Sequence, residues 1–326
     1  MRVLLTGATG FVGSHVARLL VRHGHEVHAL VLPGDAEEEL AKERLGEEGA
    51  KVTRVRGDLL DLSSYAGVLE KERFEACVHL GWYANPKDYL SARVNIDLLN
   101  ASAQLGARLV DLGCRRLVMA GTCFEYDVAF GLLSESTALR PRHLYSTCKR
   151  ALFEVMTHLT EGTATSFAWT RLFFLYGPHE SRGRLVPAVI DALLAGEQAR
   201  VTTGEQFRDF MHVADAAAAI VHVLENDALT GPVNVATGQP VRVRDVVETI
   251  AGALDMKDRV AWGAVQARPN DPSFVCADVT KLRESGFRPN FDLASGLADT
   301  IAWSKKARAG NTGATPGSAG AKSARG

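Results

Sequence analysis

Cysteine is sparse and unorganised in this chain of 326 residues: Cys77, Cys114, Cys123, Cys148 and Cys276 stand apart, with no C-x-x-C pair among them. An odd, scattered set argues against a disulfide framework and against a zinc site, so buried free thiols and no metal are expected. Excess charge of either sign is also lacking. Lys and Arg number 37 against 38 Asp and Glu, a formal net charge of -1, so there is no basic field to hold nucleic acid or an anionic membrane surface. No apolar run reaches bilayer length, and residues 1–6 are too short for a targeting segment before they meet a glycine loop. A cytoplasmic protein with no nucleic-acid or membrane partner is expected. There is no internal repeat.

What is present is an ordinary globular composition, 46% hydrophobic and 23% charged, enough for one large α/β domain and a smaller lobe. Arg2–Thr6 is a short apolar run stopped by glycine, and residues 11–23 follow with Val12, Val16, Leu19 and Leu20 at helical spacing. The alternation continues with strands at 26–31, 52–56, 76–80, 116–120 and 165–172, separated by helical stretches at 37–45, 92–112 and 144–160. Repeated β-α units imply a doubly wound parallel sheet with helices on both faces. The rhythm breaks near 176–184, where a smaller C-terminal α/β substrate lobe should begin, with helices at 185–194, 241–254 and 293–303. The expected organisation is 1–175 for the large domain, with 209–226 returning to it, and 176–306 for the lobe. Residues 307–326, rich in Gly, Ala, Ser and Thr, form a disordered tail in this reading.

Gly7, Gly10 and Gly13 lie between the first strand and the first helix, where spaced glycines have a mechanism. Gly7 permits the tight turn, Gly10 lets backbone N–H groups approach a pyrophosphate, and Gly13 lets helix pack closely on strand. A glycine triplet alone also suits an ordinary turn; its position ahead of a β-α series makes it a Rossmann dinucleotide site.

Tyr145 and Lys149 are four residues apart on an expected helix, so both side chains rise from one face. A phenol is too weak a base at neutral pH, and a neighbouring ammonium together with an oxidised nicotinamide would favour the phenolate. Tyr145 then becomes the proton donor or acceptor. A Y-x-x-x-K pattern is common on surface helices, so its weight comes from what accompanies it.

The G-x-x-G-x-x-G loop with Tyr145-x-x-x-Lys149 downstream resembles the short-chain dehydrogenase/reductase superfamily, in its extended branch of nucleotide-sugar epimerases, dehydratases and reductases. The resemblance covers nearly the whole chain to about residue 306 and implies a set of roles. Thr9, Phe11 and Val12 join the three glycines at the cofactor, Asp58 and Leu59 match the adenine-contacting pair, and Leu80 and Gly81 follow His79 in the fourth-strand loop. Asn95 matches a structural asparagine beside the cofactor. Thr122 stands where the family's Ser or Thr bonds the reacting oxygen, giving a catalytic set of Thr122, Tyr145 and Lys149, with Lys149 also on the nicotinamide ribose.

The departures from the family are informative. The second strand runs into Leu32-Pro33 with neither the acid expected for NAD nor an Arg for NADP. NAD and NADP both stay open, and the likeness of Leu32-Pro33-Gly34 to an Arg-Pro-Gly turn that has lost its Arg favours NAD. Cys123 and Phe124 fall where the 4,6-dehydratases carry an Asp-Glu pair, so the acid and base for eliminating water are missing; Glu125 is read as structural. On the substrate side, Arg208 and Arg268 match arginines that reach a nucleotide diphosphate, and Phe174 replaces an Asn that contacts substrate. The expected activity is reduction or oxidation of a nucleotide-diphosphate sugar, with a 4-keto-6-deoxyhexose as substrate. The alternatives are a C4 epimerase and, further off, a dehydratase or a non-catalytic dinucleotide-binding protein. A homodimer through the helices at 92–112 and 144–160 is implied by the resemblance.

Overall fold

A computed structural model describes residues 1–267 and 271–312. Arg268 and residues 313–326, most of the expected tail, lie outside the described residues.

In chain order the first elements are β1 (Arg2–Thr6), α1 (Phe11–Arg22), β2 (Glu26–Val31), α2 (Asp35–Leu45), β3 (Val52–Arg56), α3 (Ala66–Glu72), β4 (Ala76–His79) and α4 (Val94–Asp111). Next come β5 (Arg116–Thr122), β6 (Leu132–Leu133), α5 (Leu144–Thr160), β7 (Ser166–Leu172), β8 (Phe174–Tyr176), α6 (Leu185–Leu194), β9 (Ala199–Arg200) and β10 (Phe207–His212). The chain continues with α7 (Val213–Glu225), β11 (Gly231–Val235), β12 (Pro240–Arg242), α8 (Val243–Ala253), β13 (Val260–Ala261), β14 (Phe274–Ala277), α9 (Thr280–Glu284) and α10 (Leu293–Thr312).

Seven parallel strands form the main sheet in the order β11-β7-β5-β4-β1-β2-β3. Its central strands read as continuous apolar runs because both faces are covered, as in β4 (ACVH) and β5 (RLVMAGT), where every residue is buried. Period-two alternation assigns each side chain to a face. Val3 and Leu5 join the cluster that also contains α1 and α7 residues, whereas Leu4 joins the cluster with Leu105 and Leu109 of α4 and Leu152 and Met156 of α5. Each such Leu contributes about 1.5–3 kcal/mol by burial. The connection reverses direction between β1 and β4, which opens a crevice at the carboxyl ends of those strands.

A second, mixed sheet holds β12-β10-β14-β6 with β8 on β10. The helices α6, α8 and α10 pack Ile190, Leu193, Val246, Ile250, Leu297 and Ile301 into one core beside it. Asp209–His212 belong to β10 of the small sheet, and the return to the main sheet is made by α7, packed on α1, and by β11, paired with β7. Strand β11 (GPVNV) is five residues long and opens on Gly-Pro, so its sequence carries only a weak strand signal. Helix α10 also runs to Thr312, beyond the expected end at residue 303.

Candidate active site

The glycine loop lies at the sheet's reversal point. Gly7 has φ +74° and its carbonyl accepts the Gly10 N–H at 2.9 Å. A Cβ at Gly7 would lie 2.8 Å from Gly81 N, and one at Gly13 would lie 1.9 Å from Gly7 O. The backbones therefore meet closer than any side chain allows. Gly10 caps α1 with no side-chain hydrogen bond, and the first turn, with Phe11 and Val12, has no acid. Uncapped N–H groups at a helix start, behind a glycine cradle, fit the pyrophosphate of a dinucleotide. Gly13→Ala should open this cradle and abolish dinucleotide binding, read by calorimetry with NAD on protein whose circular dichroism shows it folded; retained affinity would refute the role.

A buried hydrogen-bond chain fixes the opposite wall. Gly81 N–H donates to Thr6 Oγ1 at 3.0 Å, Thr6 Oγ1 meets His79 Nδ1 at 2.8 Å, and His79 Nε2 meets Ser102 Oγ at 2.9 Å. Leu80 and Gly81 are thereby set against Gly7, and Leu59 Cδ2 approaches within 3.2 Å of where a Gly81 Cβ would be. Asp58 turns its carboxylate onto Leu60 N–H at 2.9 Å, and the Thr9 carbonyl accepts from Arg44 at 2.7 Å. Asn95 is occupied within the protein: its amide donates to Tyr89 O and Ala92 O, and its oxygen accepts from Trp82 Nε1 at 2.8 Å. These bonds tie the 82–92 loop to α4, in keeping with a structural role for Asn95.

Burial lowers the His79 pKa to about 3, and it does the same to His15, to about 3, and His179, to about 4. These imidazoles are neutral in the fold and take up protons only in the unfolded chain below about pH 6.5. Their stabilising effect is therefore present above pH 6.5 and lost as pH falls toward 3–4. Fully buried His79 alone should cost about 1.4 kcal/mol for each pH unit below 6.5. Burial also raises the carboxyls of Glu180, Glu125 and Asp209, which opposes this in the same pH window, so the histidine contribution is read by difference. Relative to His79→Gln, the wild-type urea midpoint should fall between pH 6.5 and 5, and a difference that does not change with pH would contradict the assignment.

Strand β5 delivers Thr122 and helix α5 delivers Tyr145 and Lys149. The Tyr145 side chain faces that of Thr122, and the Tyr145 N–H is held by Leu90 O at 3.1 Å. Lys149 donates to Ala120 O at 2.8 Å and sits 3.7 Å above the Trp82 ring. Burial lowers its pKa to about 7. Burial also raises the Tyr145 pKa, with Tyr89 adding to the rise and the Thr122 side chain opposing it. The Lys149 ammonium is directed at Ala120 and Trp82, and the expected lowering of the tyrosine pKa involves the bound nicotinamide as well. Sequence reasoning missed Trp82 and Tyr89, whose rings lie 6.4 and 5.1 Å from that of Tyr145. Their place just after Gly81 was the available signal.

Glu125 is fully buried, and its carboxylate accepts from Thr122 N–H at 2.7 Å, Trp169 Nε1 at 3.0 Å and Arg171 Nε at 2.9 Å. It holds Thr122 in place and has no path to substrate. Cys123 is 2% exposed, packed with Tyr126 and Leu133, and burial pushes its thiol up to about 12. Phe124 and Phe174 are partly exposed, with rings 6.1 Å apart and Phe210 a further 6.1 Å from Phe174. Arg208 lies over Phe174 at 5.4 Å but is already bound to Asp271 at 2.8 Å. Arg268 lies outside the described residues. Asp209 accepts from Thr237, Gly238 and Ala277 backbone N–H groups and orients the small sheet.

The chain is similar to dTDP-6-deoxy-L-talose 4-dehydrogenase (NAD(+)) of Aggregatibacter actinomycetemcomitans, 24% identical over 277 residues that cover 84% of this chain and 98% of that one. It is 26% identical over 313 residues to CDP-abequose synthase of Salmonella typhimurium, covering 92% and 97%. Among solved structures it resembles MoeE5 in complex with UDP-glucuronic acid and NAD, with a TM-score of 0.78 and 29% identity over 94% of this chain and all of that one. A family model of the NAD dependent epimerase/dehydratase family matches residues 3–236. With its glycine cradle at the sheet's reversal point and Thr122, Tyr145 and Lys149 beside it, this chain belongs to that family and is an NAD-dependent enzyme of the short-chain dehydrogenase/reductase type.

Proposed function

We propose that the enzyme reduces the 4-keto group of a nucleotide-diphosphate-linked 6-deoxyhexose. The observation that carries this reading is that the Tyr145 phenol faces Thr122 while the nearby Glu125 is tied up by Trp169 and Arg171 and the dehydratase carboxylates are replaced by Cys123 and Phe124. Thr122 and Tyr145 together receive the carbonyl oxygen, and Tyr145, protonated at neutral pH, donates its proton as the oxygen gains charge. When bound, the nicotinamide supplies the hydride. Lys149, Gly7 and Gly10 are the residues that would hold the dinucleotide against this pair. Eliminating water would need carboxylates that Cys123 and Phe124 do not provide, and Glu125 is locked by Arg171 and Trp169.

The named activities of the relatives support the substrate class: the talose enzyme is a 4-dehydrogenase of a 6-deoxy sugar. Residues 1–175 would form the dinucleotide domain and 176–306 the substrate lobe. A cytoplasmic homodimer through α4 and α5 belongs to the same proposal; Ile96 and Val155 on those helices are 49% and 46% exposed. Among the described residues no helix is long and apolar enough to cross a membrane.

The test offers NADH or NADPH with nucleotide-linked 4-keto-6-deoxysugars and follows loss of the reduced nicotinamide. One cofactor oxidised per sugar supports the reductase. An isomerised sugar with no net consumption would make the chain an epimerase.

A further inference from the structure

Lys149 carries a buried charge with few groups to hold it. The residue is 2% exposed, and among the described residues its ammonium has a single hydrogen-bond acceptor, the Ala120 carbonyl at 2.8 Å. An ammonium brings three donors, and burial without partners favours the neutral amine. The indole of Trp82 supplies what oxygens do not. Lys149 Nζ lies 3.7 Å from its ring centre, well inside the range of about 6 Å over which a ring face attracts a cation. The Trp169 ring is farther, at 5.9 Å, and its N–H is given to Glu125.

Trp82 is itself fixed at two points. Its neighbour Gly81 donates its N–H to Thr6 Oγ1 at 3.0 Å, and its own indole N–H donates to Asn95 Oδ1 at 2.8 Å. Asn95 is fully buried on α4, with its amide on Tyr89 O and Ala92 O. A ring held at its backbone and at its nitrogen presents one face in a set place. The same ring meets Tyr145 edge to face, with centres 6.4 Å apart. One side chain thus borders both members of the Tyr-Lys pair, from a wall built by β4 and α4.

The other groups that face Lys149 do not replace this contact. Glu125, in the turn after β5, attracts the ammonium but is already bound to Thr122, Trp169 and Arg171. His79 of β4 is neutral, and burial raises the Tyr145 phenol. We infer that Trp82 is a positioning residue of the active site, whose ring face holds the Lys149 ammonium beside Tyr145 for the dinucleotide. The inference concerns the Tyr-Lys pair and NAD alone, so it stands apart from the choice of sugar.

The first test is spectroscopic and uses the full chain without cofactor. Tryptophan emission is followed from about pH 5 to pH 10. The charge on its face is lost as Lys149 deprotonates, so Trp82 emission should shift with a midpoint near the lysine pKa of about 7. Lys149→Met should abolish the shift, and Trp82→Phe should remove most of it, leaving the weaker report of Trp169. No shift in wild type, or a full shift in Trp82→Phe, would overturn the contact. The second test is calorimetric titration with NAD of variants whose circular dichroism shows them folded. Trp82→Leu, apolar but without a ring face, should weaken NAD binding by about threefold to thirtyfold, and Trp82→Phe should recover most of the loss. Wild-type affinity in Trp82→Leu would overturn the positioning role. A Trp82→Phe as weak as Trp82→Leu would place the effect in the Asn95 tether and overturn the role of the ring face.

Discussion

Tyr145→Phe should lower turnover by about 100-fold to 10,000-fold while leaving NAD binding and the melting temperature nearly unchanged. The ring stays, so its edge contacts with Tyr89 and Trp82 persist. Only the hydroxyl that faces Thr122 is lost, and with it the proton for the carbonyl oxygen. Stopped-flow absorbance of the reduced nicotinamide separates the outcomes: binding with no oxidation supports the role, and wild-type oxidation refutes it. Thr122→Val should cost less, because the tyrosine still reaches the oxygen after losing one of its two hydroxyl partners.

Glu125→Ala should destabilise the fold by about 3–5 kcal/mol, among the largest losses any single substitution here would cause. The Arg171 guanidinium is 1% exposed and would be left charged in the core. The Trp169 indole N–H and the Thr122 N–H would lose their acceptor in the same change. Glu125→Gln keeps an oxygen for one donor but removes the charge, so it should fall between wild type and alanine. Chemical denaturation at pH 7 measures both. Equal stability of Glu125→Ala and wild type would mean that the buried pair contributes nothing. Because Glu125 positions Thr122, the milder variant should also lose activity beyond its loss of stability.

The main sheet was legible because its code is local. Runs such as RVLLT and ACVH are short, apolar and bounded by turns, and the helices between them repeat at 3.6 residues. The glycine cradle and the Tyr145-Lys149 pair were legible because each needs particular residues at fixed spacing. Partnerships set by tertiary packing were not. That Asp271 claims Arg208, that Lys149 is directed at Ala120, and that Asn95 is consumed by Tyr89, Ala92 and Trp82 depend on distant segments meeting. The direction of the Tyr145 pKa shift depends on how deeply the hydroxyl is buried, which no spacing encodes. Glu125 could be read as structural beside Tyr126, but its partners Trp169 and Arg171 lie one strand away in β7.

The most direct test of hydride transfer to C4 with Tyr145 as acid is isotopic. Nicotinamide carrying deuterium at its transferable position is offered with a nucleotide-linked 4-keto-6-deoxyhexose, and the product is read by NMR. One deuterium at C4 per cofactor oxidised, absent with Tyr145→Phe, is the result predicted here; a product with no deuterium, or a sugar that has lost water, would contradict it.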